Sequence, residues 1–230
     1  MKENNKKTLT GIGVFLLYFF VSQFQGLPFW ILNIDTAAIP EVLKAIYVCA
    51  VQILLVISII YIYRQDIKNN LEDLKKNHQT YFKKYLKYWF LALGLMMVAN
   101  SIILISEPNS IAGNEEAVRE MFNSMPIYTF ISAVIIAPFL EELVFRKSFR
   151  DMFSNNLLFI ILSGLTFGAF HVIGSFETLF DLIYIIPYSI PGFVFAYTLS
   201  KSKNIFVPIG LHFLHNGILM ALQTFLMLFS

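Results

Sequence analysis

The chain has 230 residues, of which 57% are hydrophobic, 16% aromatic and only 14% charged, with a formal net charge of +2. A soluble domain carries about 25% charged residues, so a water-soluble globular protein is excluded. One cysteine, Cys49, excludes an internal disulfide and a cysteine-based zinc site, and it reads as a small buried hydrophobe.

Met1–Thr10 is polar and basic, with Lys2, Lys6 and Lys7. The apolar run Gly11–Leu32 follows and lacks a small-residue cleavage site, so it reads as an uncleaved first span bent at Gly26 and Pro28. Pro40 opens a second span that ends near Tyr63. Arg64–Lys87 mixes seven Lys and Arg with Asp66, Glu72 and Asp73, while Ile67, Leu71 and Leu74 recur at helical spacing. That pattern predicts a surface helix against anionic lipid, and the mixed charge argues against nucleic acid. Tyr88–Ser106 is a third span and Glu107–Pro126 a polar loop. A fourth span runs from Ile127 to about Phe153, a fifth from about Asn156 to Ile173, and a sixth from about Thr178 to Ser200, kinked by Pro187, Pro191 and Gly192. The seventh starts near Asn204 and continues to the end.

These runs predict an all-α polytopic transmembrane helical bundle of about seven spans, or eight if the first is split. With the N-terminus inside, all 17 Lys and Arg except Lys44 and Arg119 fall on the cytoplasmic side. The expected location is the cell membrane, multi-pass. Two regions are expected: 1–125, with three spans and the basic cytoplasmic segment 64–87, and 126–230, a four-helix membrane core carrying the chemistry.

The polar residues of that core point to a site. Ala137-Pro138-Phe139-Leu140-Glu141-Glu142-Leu143-Val144-Phe145-Arg146 puts two carboxylates and a guanidinium into membrane-grade sequence, where ionisable groups are costly and mark function by default. Glu142 and Arg146 are four apart and share a helix face. Glu141 points elsewhere and stays available as a general base. Alone, this run also fits the polar end of a span in the head-group layer. In the fifth span Phe167 and His171 lie one turn apart, beside Gly168 and Ala169, which admit a close neighbour. In the seventh, His212 and Asn216 share a face and His215 lies nearby. A lone membrane histidine or asparagine is usually a helix-to-helix hydrogen bond, and Phe167 alone is core. Depth distinguishes the set. Counted from span ends near residues 152, 156 and 204, Glu141 lies roughly 16 Å in, His171 roughly 22 Å, His212 roughly 12 Å and Asn216 roughly 18 Å, at about 1.5 Å per residue.

Glu-Glu-x-x-x-Arg, Phe-x-x-x-His and His-x-x-x-Asn, in this order and each on its own span, resemble the CAAX-prenyl-protease and bacteriocin-processing membrane proteases (the Abi or type II CAAX endopeptidase family). The resemblance covers about Ile127 to the end. It implies an α-helical intramembrane protease with a cavity open to the cytoplasm. It further implies that Glu141 with His171 activates a water, that His212 and Asn216 stabilise an oxyanion, and that Glu142, Arg146, Phe167 and His215 support them. The implied substrate is a peptide or a membrane-anchored protein. The family is often labelled metalloprotease, and Zn²⁺ on His171, His212 and Glu141 would leave a water position. With no His-Glu-x-x-His present, a metal-free glutamate mechanism fits equally and is preferred. Two other readings stay open: a non-catalytic membrane adaptor of a signalling partner, and a small transporter using Glu141 and His171 as a proton relay, for which no inverted repeat is visible.

Overall fold

The computed structural model describes residues 2–108 and 110–229. It is 88% helical, and among the described residues no strand occurs, so the fold is all-α. In chain order the helices are α1 (Lys2–Phe24), α2 (Leu27–Ile31), α3 (Glu41–Ile62), α4 (Arg64–Ser106) and α5 (Gly113–Ser124). They continue with α6 (Pro126–Met152), α7 (Asn156–Val172), α8 (Leu179–Ser202) and α9 (Phe206–Phe229). Six of them, α1, α3, α4, α6, α8 and α9, are long and apolar enough to cross a membrane. The chain is a multi-pass membrane protein. The fifth expected span, α7, is apolar but has only 17 residues, about 25 Å at 1.5 Å per residue, less than a hydrocarbon core of about 30 Å.

Three elements depart from the sequence reading. The expected surface helix 64–87 and third span form one continuous helix, α4, of 43 residues. Lys, Glu, Gln and Asn change the polarity of this stretch without supplying a break, and it contains no proline. At about 64 Å it is twice the thickness of the apolar layer. The polar loop 107–126 contains α5, whose first turn holds Glu115 and Glu116, favourable at a helix N-terminus, with Glu115 also paired to Arg119. The first span is not merely bent: it ends at Phe24, and α2 begins at Leu27 with Pro28 in its first turn.

One end of the bundle is tied by polar contacts. Lys147 on α6 pairs with Asp66 and Asp151, each at 2.7 Å. The hydroxyl of Thr8 on α1 donates to the Asp151 carbonyl. Asn204, in the α8–α9 turn, donates to the Asn70 carbonyl and to Asp73, both at 2.7 Å. These contacts gather the starts of α1, α4 and α9 and the end of α6, four ends that the distribution of Lys and Arg places together on the cytoplasmic side.

Above them lies one apolar core, in which Val14 of α1 and Leu55 and Ile59 of α3 join Leu143, Val144, Phe145, Phe159, Leu199 and Ile205. The tightest crossing is α7 on α8. A Cβ on Gly192 would lie 2.9 Å from the Cα of Gly164, and one on Gly168 would meet Ser189 Oγ at 2.2 Å and the Ile185 carbonyl at 2.7 Å. Only glycine lets the two backbones come this close.

Candidate active site

The site forms where α6, α7 and α9 meet. Pro138 cannot donate a backbone hydrogen bond to the preceding turn, and α6 widens around it. The N–H of Ala137 reaches the carbonyl of Ser132, five residues back, and a second wide stretch covers Glu142–Ser148. Such π-type turns change the angular position of side chains and recur at functional sites. Here one ends five residues before Glu141 and the other begins at Glu142.

The expected pair is present. Arg146 Nε lies 3.2 Å from Glu142 Oε2, and both side chains are 0% exposed. The guanidinium carbon stands 4.1 Å from the centroid of Phe167 and 5.6 Å from that of Phe195. A buried cation held by one carboxylate and two aromatic faces is compensated by charge and by ring quadrupole together. Phe167 therefore covers Arg146 as well as packing against His171, with ring centroids 4.3 Å apart.

Glu142 has a second partner that the i,i+4 pairing does not foretell. Its Oε1 accepts from His212 Nδ1 at 2.9 Å. A carboxylate only accepts, so Nδ1 carries the hydrogen and Nε2 is the free nitrogen. That nitrogen lies 3.7 Å from Glu141 Oε2. On the other side, His171 Nδ1 is 2.9 Å from the Phe167 carbonyl, so there too Nδ1–H is the donor, and its Nε2 lies 4.0 Å from the same Glu141 oxygen. Glu141 and His171 retain 18% and 19% side-chain exposure, whereas Glu142 has none. The two carboxylates thus differ as expected: one is bound up in an ion pair and a ring, the other faces two imidazoles just beyond direct hydrogen-bond length.

Asn216 donates from Nδ2 to the Ala133 carbonyl at 2.8 Å, which joins α9 to α6 two turns before Glu141. The amide carries two hydrogens, so one remains. His215 is buried, and among the described residues it makes no ion pair with either glutamate. The structure therefore brings Glu141, Glu142, Arg146, Phe167, His171 and His212 into one cluster, ties Asn216 of α9 to α6, and leaves His215 packed on α9.

Among the described residues no group of three or more His, Cys, Asp or Glu side chains has the arrangement of a metal site. Glu142 takes one ring nitrogen of His212 and the Phe167 carbonyl takes one of His171. Both Nε2 atoms stay free and face Glu141 Oε2, and no step is routed through a metal.

Two residues of the site carry no signal in the sequence. Tyr188 stacks on His171 with ring centroids 4.9 Å apart and planes at 27°. Phe195 lies 5.2 Å from the His212 ring. Both sit on α8, where an aromatic residue in an apolar span reads only as core.

Known proteins resemble the region of the chain that carries this cluster. Residues 123–218 match the family model of the Rce1-like type II CAAX prenyl endopeptidases, as the three motifs suggested. A Bacillus subtilis (strain 168) protein named "Putative membrane peptidase YdiL" is 29% identical over 113 residues, 48% of this chain and 43% of that protein. An uncharacterized protein of Mycoplasma capricolum is 40% identical over 74 residues, 32% of this chain and 20% of its own length. The membrane-embedded CAAX protease MroQ of Staphylococcus aureus (strain USA300) is 29% identical over 200 residues, 80% of this chain and 76% of that protein. The chain thus spans less than half of the first two relatives. No solved structure matches.

Proposed function

We propose that this chain, with an Rce1-like match over residues 123–218, is an intramembrane endopeptidase that hydrolyses a peptide bond in a membrane-associated peptide or protein. The observation that carries the proposal is the convergence of His171 and His212 on one oxygen of Glu141, at 4.0 and 3.7 Å. General bases act within hydrogen-bond reach, directly or through one water, and these lengths allow a water at Glu141 to touch an imidazole as well.

In this mechanism a water donates its two hydrogens to Glu141 Oε2 and His171 Nε2, both acceptors, which leaves a lone pair for the scissile carbonyl carbon. Glu141 takes the proton as the carbon–oxygen bond forms. The oxyanion receives the remaining N–H of Asn216. His212 Nδ1–H is held by Glu142, so its Nε2 is an acceptor that faces Glu141 Oε2. Donors aimed at a developing oxyanion contribute on the order of 3 kcal/mol each. The tetrahedral carbon then releases the amine as its C–N bond breaks, and Glu141 returns the proton to the nitrogen. Glu142, Arg146 and Phe167 touch no reacting atom; they fix the tautomer and orientation of His212 and the rotamer of His171.

The test is a comparison of membrane-associated peptides in cells carrying the wild-type chain and cells carrying Glu141→Ala or His171→Ala. Uncleaved precursor accumulates in both variants while the protein still inserts. Normal processing by either variant rejects the assignment and favours the non-catalytic adaptor.

A further inference from the structure

We propose that Tyr188, on a helix that carries none of the motifs, is a positioning residue that sets the orientation of His171. His171 is the second-last residue of α7, where a helix loses the support of a following turn. Ile173, two residues on, is already exposed. One hydrogen bond within its own helix, to the Phe167 carbonyl at 2.9 Å, leaves the imidazole open to tilting. Its flanking rings prevent this. Phe167 packs on one side at 4.3 Å and 42°, and Tyr188 stacks at 4.9 Å and 27°.

Backbone contact places Tyr188 there. At the α7–α8 crossing Gly168 leaves no room for a Cβ against Ser189 Oγ and the Ile185 carbonyl. Gly168 precedes His171 by three residues, and Ser189 adjoins Tyr188. The close approach at 168 and 189 therefore brings the side chains of 171 and 188 face to face. The far end of the tyrosine is also engaged: Asn114 of α5 donates to its hydroxyl at 3.5 Å. Seven residues further along α8, Phe195 packs against His212 at 5.2 Å. One helix thus provides an aromatic ring for each of the two imidazoles that face Glu141. Among the described residues Tyr188 makes no hydrogen bond to Glu141 or to either imidazole, so its contribution is orientation rather than proton transfer.

This inference deepens the proteolytic reading and rests on it for the effect on rate, but not for the effect on His171. Tyr188→Ala and Tyr188→Phe are compared with wild type by two measurements. The first is the rate at which diethyl pyrocarbonate modifies His171, followed by peptide mass spectrometry on the detergent-solubilised full chain. Removing the ring raises that rate several-fold, and Phe leaves it unchanged. The second is precursor processing in cells. Misplacement of a catalytic group by about 1 Å costs on the order of 10²-fold, so Tyr188→Ala processes on the order of 10²-fold more slowly, while Tyr188→Phe stays within about twofold. His215, buried on α9, serves as the internal control for unfolding, since its modification rate rises only if the chain opens. Three results overturn the proposal: unchanged His171 reactivity in Tyr188→Ala, wild-type processing by that variant, or equal loss in Tyr188→Phe, which would make the hydroxyl a chemical participant. Normal processing by Glu141→Ala would remove the proteolytic reading and leave the reactivity measurement as the test of positioning.

Discussion

Glu142 accepts the Nδ1 hydrogen of His212 across 2.9 Å, so the second carboxylate of the pair holds the ring whose other nitrogen faces the first. The same carboxylate pairs with Arg146 at 3.2 Å. Its position in the middle explains why a fully buried charge is kept: Glu142 joins α6 to α9 and determines which nitrogen of His212 is free.

Glu142→Gln keeps the volume, removes the charge and lets the amide present either oxygen or nitrogen to the ring. Disturbing the partner of a catalytic histidine lowers rates by about 10²- to 10⁴-fold, and processing in cells falls within that range. Glu142→Ala leaves Arg146 buried without its carboxylate, at a cost of about 3–5 kcal/mol, visible as a lower melting temperature in detergent. Replacing both partners, Glu142→Leu with Arg146→Met, restores the melting temperature, since an apolar pair of similar volume is often neutral or stabilising. Processing stays abolished because His212 has lost its holder. A double variant that recovered processing would separate Glu142 from the site.

Gly168→Ala tests the helix crossing. Its new Cβ meets Ser189 Oγ at 2.2 Å and the Ile185 carbonyl at 2.7 Å, and the second contact is backbone, which a rotamer change does not relieve. Overpacking of this kind costs about 1–3 kcal/mol. The melting temperature falls, and processing falls further than stability alone dictates because His171 and Tyr188 move apart. Gly174→Ala, with nothing within 4 Å of the added carbon, is the control and leaves both unchanged.

The donor set predicts the response to metal removal. With no three His, Cys, Asp or Glu side chains arranged as a metal site among the described residues, processing by the purified chain survives dialysis against a chelator. Loss of cleavage that returns on adding Zn²⁺ would replace the glutamate mechanism by a metal-dependent one.

What the sequence determined by itself was the class, most of the helices and the chemical inventory. Long apolar runs in a chain with 14% charged residues can satisfy their backbone in lipid only as helices. The spacing of Glu142 and Arg146 defined their pair, because i,i+4 neighbours share a helix face whatever surrounds them. Polarity misled where it does not control local structure. The change from lysine-rich to apolar sequence near residue 87 suggested two elements, but a helix continues across such a change if nothing breaks its hydrogen bonds, and α4 does. Tertiary structure alone decided that Glu142 also binds His212, that Asn216 bonds the Ala133 carbonyl, and that Tyr188 and Phe195 lie against the two imidazoles. Those contacts join residues far apart in the chain, and they depend on how deeply α7 and α8 interlock at Gly164, Gly168 and Gly192, a distance that no periodicity along a single helix encodes.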